Sequence, residues 1–98
     1  MEVLHDKSDK MFYMLDGDRN IFAEMYYSYL DSGKIKITHS WVDPEHRGQD
    51  LGKILMDSLA SFAREENLKI IPVCSFAVYM VEKFDSLYSD ILDESFSK

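Results

Sequence analysis

The chain has 98 residues, of which 46% are hydrophobic and 13% aromatic. That is too apolar for a disordered segment and enough for one buried core without a metal or disulfide staple. Acidic residues outnumber basic ones 18 to 11, for a formal charge of −7. The excess weighs against a nucleic-acid partner, whose binding depends on Lys and Arg neutralising phosphates, and it offers no attraction to anionic lipid.

One cysteine, Cys74, rules out an internal disulfide, and no cysteine–histidine spacing resembles a zinc site. No apolar leader opens the sequence, and no run approaches the roughly 18 apolar residues of a membrane helix. The expectation is a single domain over residues 1–98 in a reducing cytoplasm, monomeric or weakly dimeric, with no metal.

From Lys10 to Val42 the hydrophobic period is that of strands. Phe12 and Met14 alternate, and Asp16-Gly17-Asp18 carries the Asp-Gly turn signal. Ile21, Ala23, Met25, Tyr27 and Tyr29 then share one side of an extended segment, with Glu24, Tyr26 and Ser28 on the other. After the turn at Asp31-Ser32-Gly33-Lys34, the alternation places Ile35, Ile37, His39 and Trp41 on a common face. Three strands joined by short turns predict an antiparallel meander.

Past Val42 the period changes. Leu51, Leu55, Leu59 and Ala63 recur every four residues, with Ile54 and Phe62 filling the stripe. This predicts an amphipathic helix ending near Asn67, a residue suited to a left-handed C-terminal position. Leu68 to Cys74 reads as a buried strand in which Pro72 must sit at an edge, a bulge or the strand's end. Ser75 to Phe84 follows at helical spacing, and the tail from Asp85 reads as a short turn or strand. The order is α+β, and the strand–helix–strand step makes the third and fourth strands parallel through a right-handed crossover.

The junction from Val42 to Lys53 is the segment of greatest chemical interest. It leaves a strand, crosses a loop containing Gly48 and opens a helix, so several N–H groups there have no intrahelical partner and face the helix's positive end. A diphosphate fits such a place, and Arg47 or Lys53 could add charge. Gly48 and Gly52 equally suit a plain turn and close packing of the helix. The pattern is neither a Walker A loop nor G-x-G-x-x-G.

Arg47-Gly48-Gln49-Asp50-Leu51-Gly52 resembles the acyl-CoA loop of the GCN5-related N-acetyltransferases, [Arg/Gln]-x-x-Gly-x-[Gly/Ala]. His39 on the strand before the loop, and Cys74 ending the strand after the helix, are similar to the small branch of that superfamily of roughly a hundred residues. The resemblance runs from about Tyr13 to about Tyr88. It implies a truncated acyl-CoA N-acyltransferase fold, with acetyl-CoA lying between strands that end near Val42 and Cys74. Val42, Arg47, Gly48, Gln49, Asp50, Leu51, Gly52, Lys53 and Cys74 would hold the cosubstrate. Where the family pattern has glycine this chain has Asp50. Its carboxylate repels a diphosphate, yet near a helix N-terminus it complements the dipole, by about 0.3–1 kcal/mol.

Cys74 and His39 are the candidate catalytic residues. A thiol at a helix N-terminus favours the nucleophilic thiolate, although a lone cysteine also packs as a small hydrophobe. His39, if it lies across the opening from Cys74, could take a proton from an amine or the thiol; on an apolar face it could equally be a hydrogen-bonded core residue. Glu24 reads as solvated on its hairpin. The expected activity is transfer of an acetyl group from acetyl-CoA to a small amine. The alternative is a non-catalytic CoA-binding or protein-interaction module with a degenerate loop.

Overall fold

The structure, a computed structural model, describes residues 2–96. Five strands form one sheet in sequential order: β1 (Leu4–Asp6), β2 (Met11–Leu15), β3 (Ile21–Asp31), β4 (Lys34–Val42) and β5 (Lys69–Pro72). β1 to β4 run antiparallel and β5 lies parallel to β4. Helix α1 (Leu51–Glu65) joins β4 to β5 after a single 3-10 turn at Pro44–His46, and α2 (Ser75–Lys83) and α3 (Asp85–Tyr88) follow. The α+β meander-then-crossover expected from the sequence is present. β1 adds a strand that the pattern did not reveal, being only three residues long and too short to display a period.

The apolar stripe of α1 is buried as expected: Leu51, Leu55, Leu59 and Ala63 are all nearly inaccessible, and Met56 and Ala60 widen it. They pack with Met25, Ile35, Ile37 and the inner side of α2 into one core on one face of the sheet. The helix ends in a Schellman arrangement. Asn67 takes a left-handed φ of +56°, Leu68 N donates to Ala63 O at 2.8 Å, and Asn67 N donates to Arg64 O at 3.4 Å. The first hairpin turn differs from the Asp-Gly expectation. Arg19, not Gly17, takes the positive φ, and the Asp16 carboxylate closes the turn by accepting from Asp18 N and Asn20 N, both at 2.9 Å.

Two irregularities shape the C-terminal end of β4. His39 opposes Tyr26 and Ile37 opposes Tyr27, so Thr38 is an extra residue and the strand carries a bulge. The bulge reverses the alternation. Ile35 and Ile37 remain in the core, whereas His39 and Trp41 turn to the opposite, outer face beside Tyr26 and Glu24, and Ser40 and Val42 take the inner face. The shared face expected for Ile35, Ile37, His39 and Trp41 is therefore corrected.

The parallel ladder also stops at Ile37 and Pro72. Val73 N still donates to Ile37 O at 3.0 Å, as the parallel pair requires, but Cys74 N turns onto the same carbonyl at 3.1 Å, and Pro72, whose backbone faces away from β4, leaves the other edge of β5 without a donor. Beyond that point β4 and the chain after β5 diverge, leaving the rest of β4 with a free edge.

The tail docks along β5. Ile70 N donates to Ile91 O at 2.7 Å and Asp93 N to Ile70 O at 2.9 Å, while Arg64 binds the Asp90 carboxylate through Nε at 2.8 Å and Nη2 at 3.0 Å. Among the described residues, no helix is long and apolar enough to cross a membrane. A left-handed position is costly for a β-branched side chain, by about 1–2 kcal/mol. Asn67→Val should lower unfolding stability by about that amount in chemical denaturation, while Asn67→Gly leaves it unchanged or slightly raised. Equal stability of the Val variant would contradict the helix-end assignment.

Candidate functional site

The fork in β4 opens a cavity of about 450 Å³. Val42, Arg47, Gly48, Asp50, Leu51, Gly52 and Lys53 line it from the β4–α1 junction, Phe76, Tyr79, Met80, Lys83 and Phe84 from the α2 side, and Ser40, Trp41 and Glu24 from the sheet. Ser40 and Trp41 point to opposite faces of β4, so the cavity passes around the strand's free edge from one face to the other.

At the junction, Gly48 has φ +87° with open space where a Cβ would be. The first intrahelical donor is Ile54 N, to Asp50 O at 3.1 Å, so Leu51, Gly52 and Lys53 keep N–H groups without helical acceptors. Asp50 does not supply one. It is the N-cap residue, but it takes the left-handed conformation at φ +57° and makes no side-chain cap. The capping role that its position suggests is not filled, because a left-handed N-cap does not direct its carboxylate at the first-turn amides.

The charges around the junction are arranged unevenly. Arg47 ties its Nε to Val42 O at 3.1 Å. Lys53 is already paired with Asp57 at 2.8 Å, and Asp57 in turn accepts from Tyr88 OH at 2.6 Å. The cation facing the loop from across the cavity is Lys83. The Tyr79 hydroxyl holds its ammonium above the usual lysine value, and Asp50 adds a smaller push in the same direction. The Lys83 and Lys53 ammonium groups both lie 5.4 Å from the Phe84 ring centre. Sequence alone placed Phe76, Tyr79, Met80 and Lys83 at helical spacing. What it did not carry was that this helix face meets the loop.

Cys74 stands at the N-cap of α2, half-buried, with its Sγ 3.6 Å from Ser40 Oγ. It sits one side chain behind the cavity wall, and neither it nor Gln49 nor His39 is among the lining residues. Ser40, overlooked in the sequence, is the thiol's neighbour because the bulge at Thr38 puts it where unbroken alternation would put His39.

His39 is brought together with Glu24 instead, its Nε2 3.7 Å from Oε2, and its ring lies 5.7 Å from that of Tyr26. Glu24 is not a solvated hairpin carboxylate. Its side chain is only 19% exposed, and its Oε1 accepts from Tyr26 OH at 3.5 Å. Among the described residues, no cluster of His, Cys, Asp and Glu could hold a metal ion.

Gly52 has a packing reason as well. A Cβ added there would collide with Phe76 Cζ and lie 3.0 Å from Cε1 and Cε2. Alanine is the better helix former by about 1 kcal/mol, yet Gly52→Ala should lower the melting temperature by displacing that ring. In the background of Phe76→Ala the same change should instead be neutral or stabilising, a coupling that a double-mutant cycle measures directly. Additive effects would refute the contact.

Comparison with known proteins places these features. The profile of the family described as GCN5-related N-acetyl-transferase matches residues 11–91. The NMR solution structure of a GCN5-like protein from Staphylococcus aureus is similar at a TM-score of 0.77 and 41% identity, over 94% of this chain and 87% of that one. Tetrahymena GCN5 shares the fold at TM-score 0.63 and 12% identity, over 74% of this chain and 48% of that one. A GNAT-family acetyltransferase from Elizabethkingia anophelis, solved with acetyl-CoA bound, does so at 0.62 and 14%, over 76% and 51%. The chain thus spans about half the length of these last two. Curated proteins gave no match. With a matched profile over most of its length and the fold and loop that go with it, the chain belongs to the GCN5-related N-acetyltransferases.

Proposed function

We propose that the protein transfers an acetyl group from acetyl-CoA to a small amine. The observation that carries this reading is the set of uncapped backbone donors at the start of α1, opening onto a cavity that reaches both faces of β4. Residues present fit the cosubstrate: Gly48 leaves room for phosphate oxygens, and Arg47 and Lys83 bring positive charge to the same rim. In this reading the N–H groups from Gly48 to Lys53 bind the pyrophosphate, Gln49 among them. Val42 and the free edge of β4 pair with the amide-bearing arm, and backbone N–H groups of the splayed strand steady the carbonyl oxygen.

The reaction breaks the thioester C–S bond and forms an amide C–N bond. The sulfur leaves as thiolate and takes up a proton, and the attacking nitrogen gives one up. In this reading His39 receives the nitrogen's proton, a role supported by its pairing with Glu24 on the outer face. In a two-step route Cys74 attacks first, carries the acetyl group, and is restored when the amine displaces it. Its position beside Ser40 and next to the cavity supports that role. One observation favours a second reading, a non-catalytic CoA-binding or protein-interaction module: Asp50 keeps a carboxylate at the rim where phosphates would lie.

Melting with acetyl-CoA at a hundred times its dissociation constant should raise apparent stability by about 2.7 kcal/mol; no shift at millimolar acetyl-CoA defeats the proposal. Asp50→Gly should tighten acetyl-CoA binding about two- to fivefold by isothermal titration, the scale of one solvent-screened charge contact. Unchanged or weaker affinity would remove the carboxylate from the phosphate site. Cys74→Ala should abolish the acetyl adduct seen by intact mass after mixing with acetyl-CoA. An adduct that survives in that variant excludes Cys74 as its carrier.

A further inference from the structure

Building on the acetyltransferase reading, we infer that the outer-face end of the cavity is the acceptor site, and that it selects a primary ammonium held between the Glu24 carboxylate and the Trp41 ring. Glu24 and Trp41 are direct cross-strand partners, and both line the cavity whose other end is the β4–α1 junction. The two ends differ in charge: around the loop Arg47 and Lys83, with Lys53 paired to Asp57, outweigh the Asp50 carboxylate, and Glu24 stands beyond the strand edge. An anionic ligand is steered to one end and a cation to the other.

Chemistry at the outer end fits a cation specifically. The Glu24 side chain is only 19% exposed, which makes an ionised carboxylate costly without donors. Its contacts with Tyr26 OH at 3.5 Å and His39 Nε2 at 3.7 Å are both longer than full-strength hydrogen bonds. Capacity to accept from a third donor remains. Trp41 keeps 38% of its surface exposed, and an indole face beside a carboxylate attracts an ammonium by cation–π contact. The field there is negative: burial first, then Glu24 and Asp9, push the Tyr26 hydroxyl above its usual value. A carboxylate-bearing or phosphorylated acceptor would meet repulsion. Tyr26 acts as a positioning residue on one side of the Glu24 carboxylate, and His39, the proton acceptor of the proposed reaction, lies on the other. The 3-10 turn lays the His46 ring over Phe22, two residues along β3 from Glu24, while the exposed Trp41 leaves the acceptor end open to a small molecule.

Trp41 is the chain's one tryptophan, so its emission reports on this site alone. Titration of the intact protein with n-butylamine at pH 7, where it is an ammonium, should give a saturable change in Trp41 fluorescence. n-Butanol at equal concentration, and sodium chloride at equal ionic strength, should not. Glu24→Gln, which keeps the shape and removes the charge, should weaken the amine response at least about tenfold, as expected for losing a hydrogen bond to a charged group. A Trp41 signal indifferent to the amine, an equal response to butanol, or a Glu24→Gln variant that binds like the wild type would each overturn the inference; the first two comparisons need no variant to fold. The wild-type melting shift with acetyl-CoA, recorded in parallel, separates the two failures. A retained shift without an amine response sinks the acceptor site alone, and an amine response without a shift sinks the cosubstrate reading alone.

Discussion

Where β4 and β5 part company, the end of one hydrogen-bonded ladder decides the geometry of the whole site. Val73 N makes the last regular bond of the parallel pair, and Cys74 N crowds onto the same carbonyl of Ile37 instead of reaching a later one. A strand that lost its neighbour in mid-sheet would ordinarily leave polar backbone groups stranded. Here the loss occurs at a bulge, so the remainder of β4 twists away and its free edge faces a cavity. The space for a ligand, the position of Ser40 against the thiol, and the removal of His39 to the other face follow from the same pair of irregularities. Without the bulge the histidine would sit in the core.

The helix that faces this opening is held by contacts with little tolerance. Gly52 lets the Phe76 ring lie against the first turn of α1, which draws α2 close enough for Lys83 and Tyr79 to share a cavity with the loop. Asp50, where the family pattern has glycine, sits in a left-handed conformation that asparagine and aspartate tolerate better than most residues but glycine adopts freely. Among the described residues its carboxylate neither caps the helix nor sits in a close ion pair. Lys83 across the cavity offsets part of its charge. The rim therefore remains net positive, which is the condition an anionic cosubstrate needs.

Much of this was legible from residue order. The period-four stripe of Leu51, Leu55, Leu59 and Ala63 predicted α1 and its buried face, and Asn67 marked its end; the last strand, expected over Leu68 to Cys74 with Pro72 at an edge, a bulge or its end, is shorter and stops at Pro72. The loop from Arg47 to Gly52 announced the family. Most of what the sequence hid around the site has one cause. A bulge adds a residue without leaving a compositional mark, so strict alternation carried His39 and Trp41 to the wrong face. The same error concealed Ser40 and made Glu24 look solvated: Tyr26 was readable on its side, but His39 reaches it only through the register that the bulge sets. β1 was invisible for a different reason: three residues cannot establish a period. Lys83 and Phe84 were readable as a helix end but not as cavity walls, since that depends on how α2 meets α1.

The central claim is that the amides opening α1 are free to receive linked phosphates. The most direct measurement is a titration of isotopically labelled protein with acetyl-CoA, followed amide by amide in nitrogen–proton correlation spectra. The account predicts that the N–H signals of Gly48, Leu51, Gly52 and Lys53 shift first and furthest, with those of β4 beyond Ile37 following and β1 and β2 silent. Perturbations confined to the outer sheet face or the C-terminal tail, with the loop amides unmoved, would contradict it.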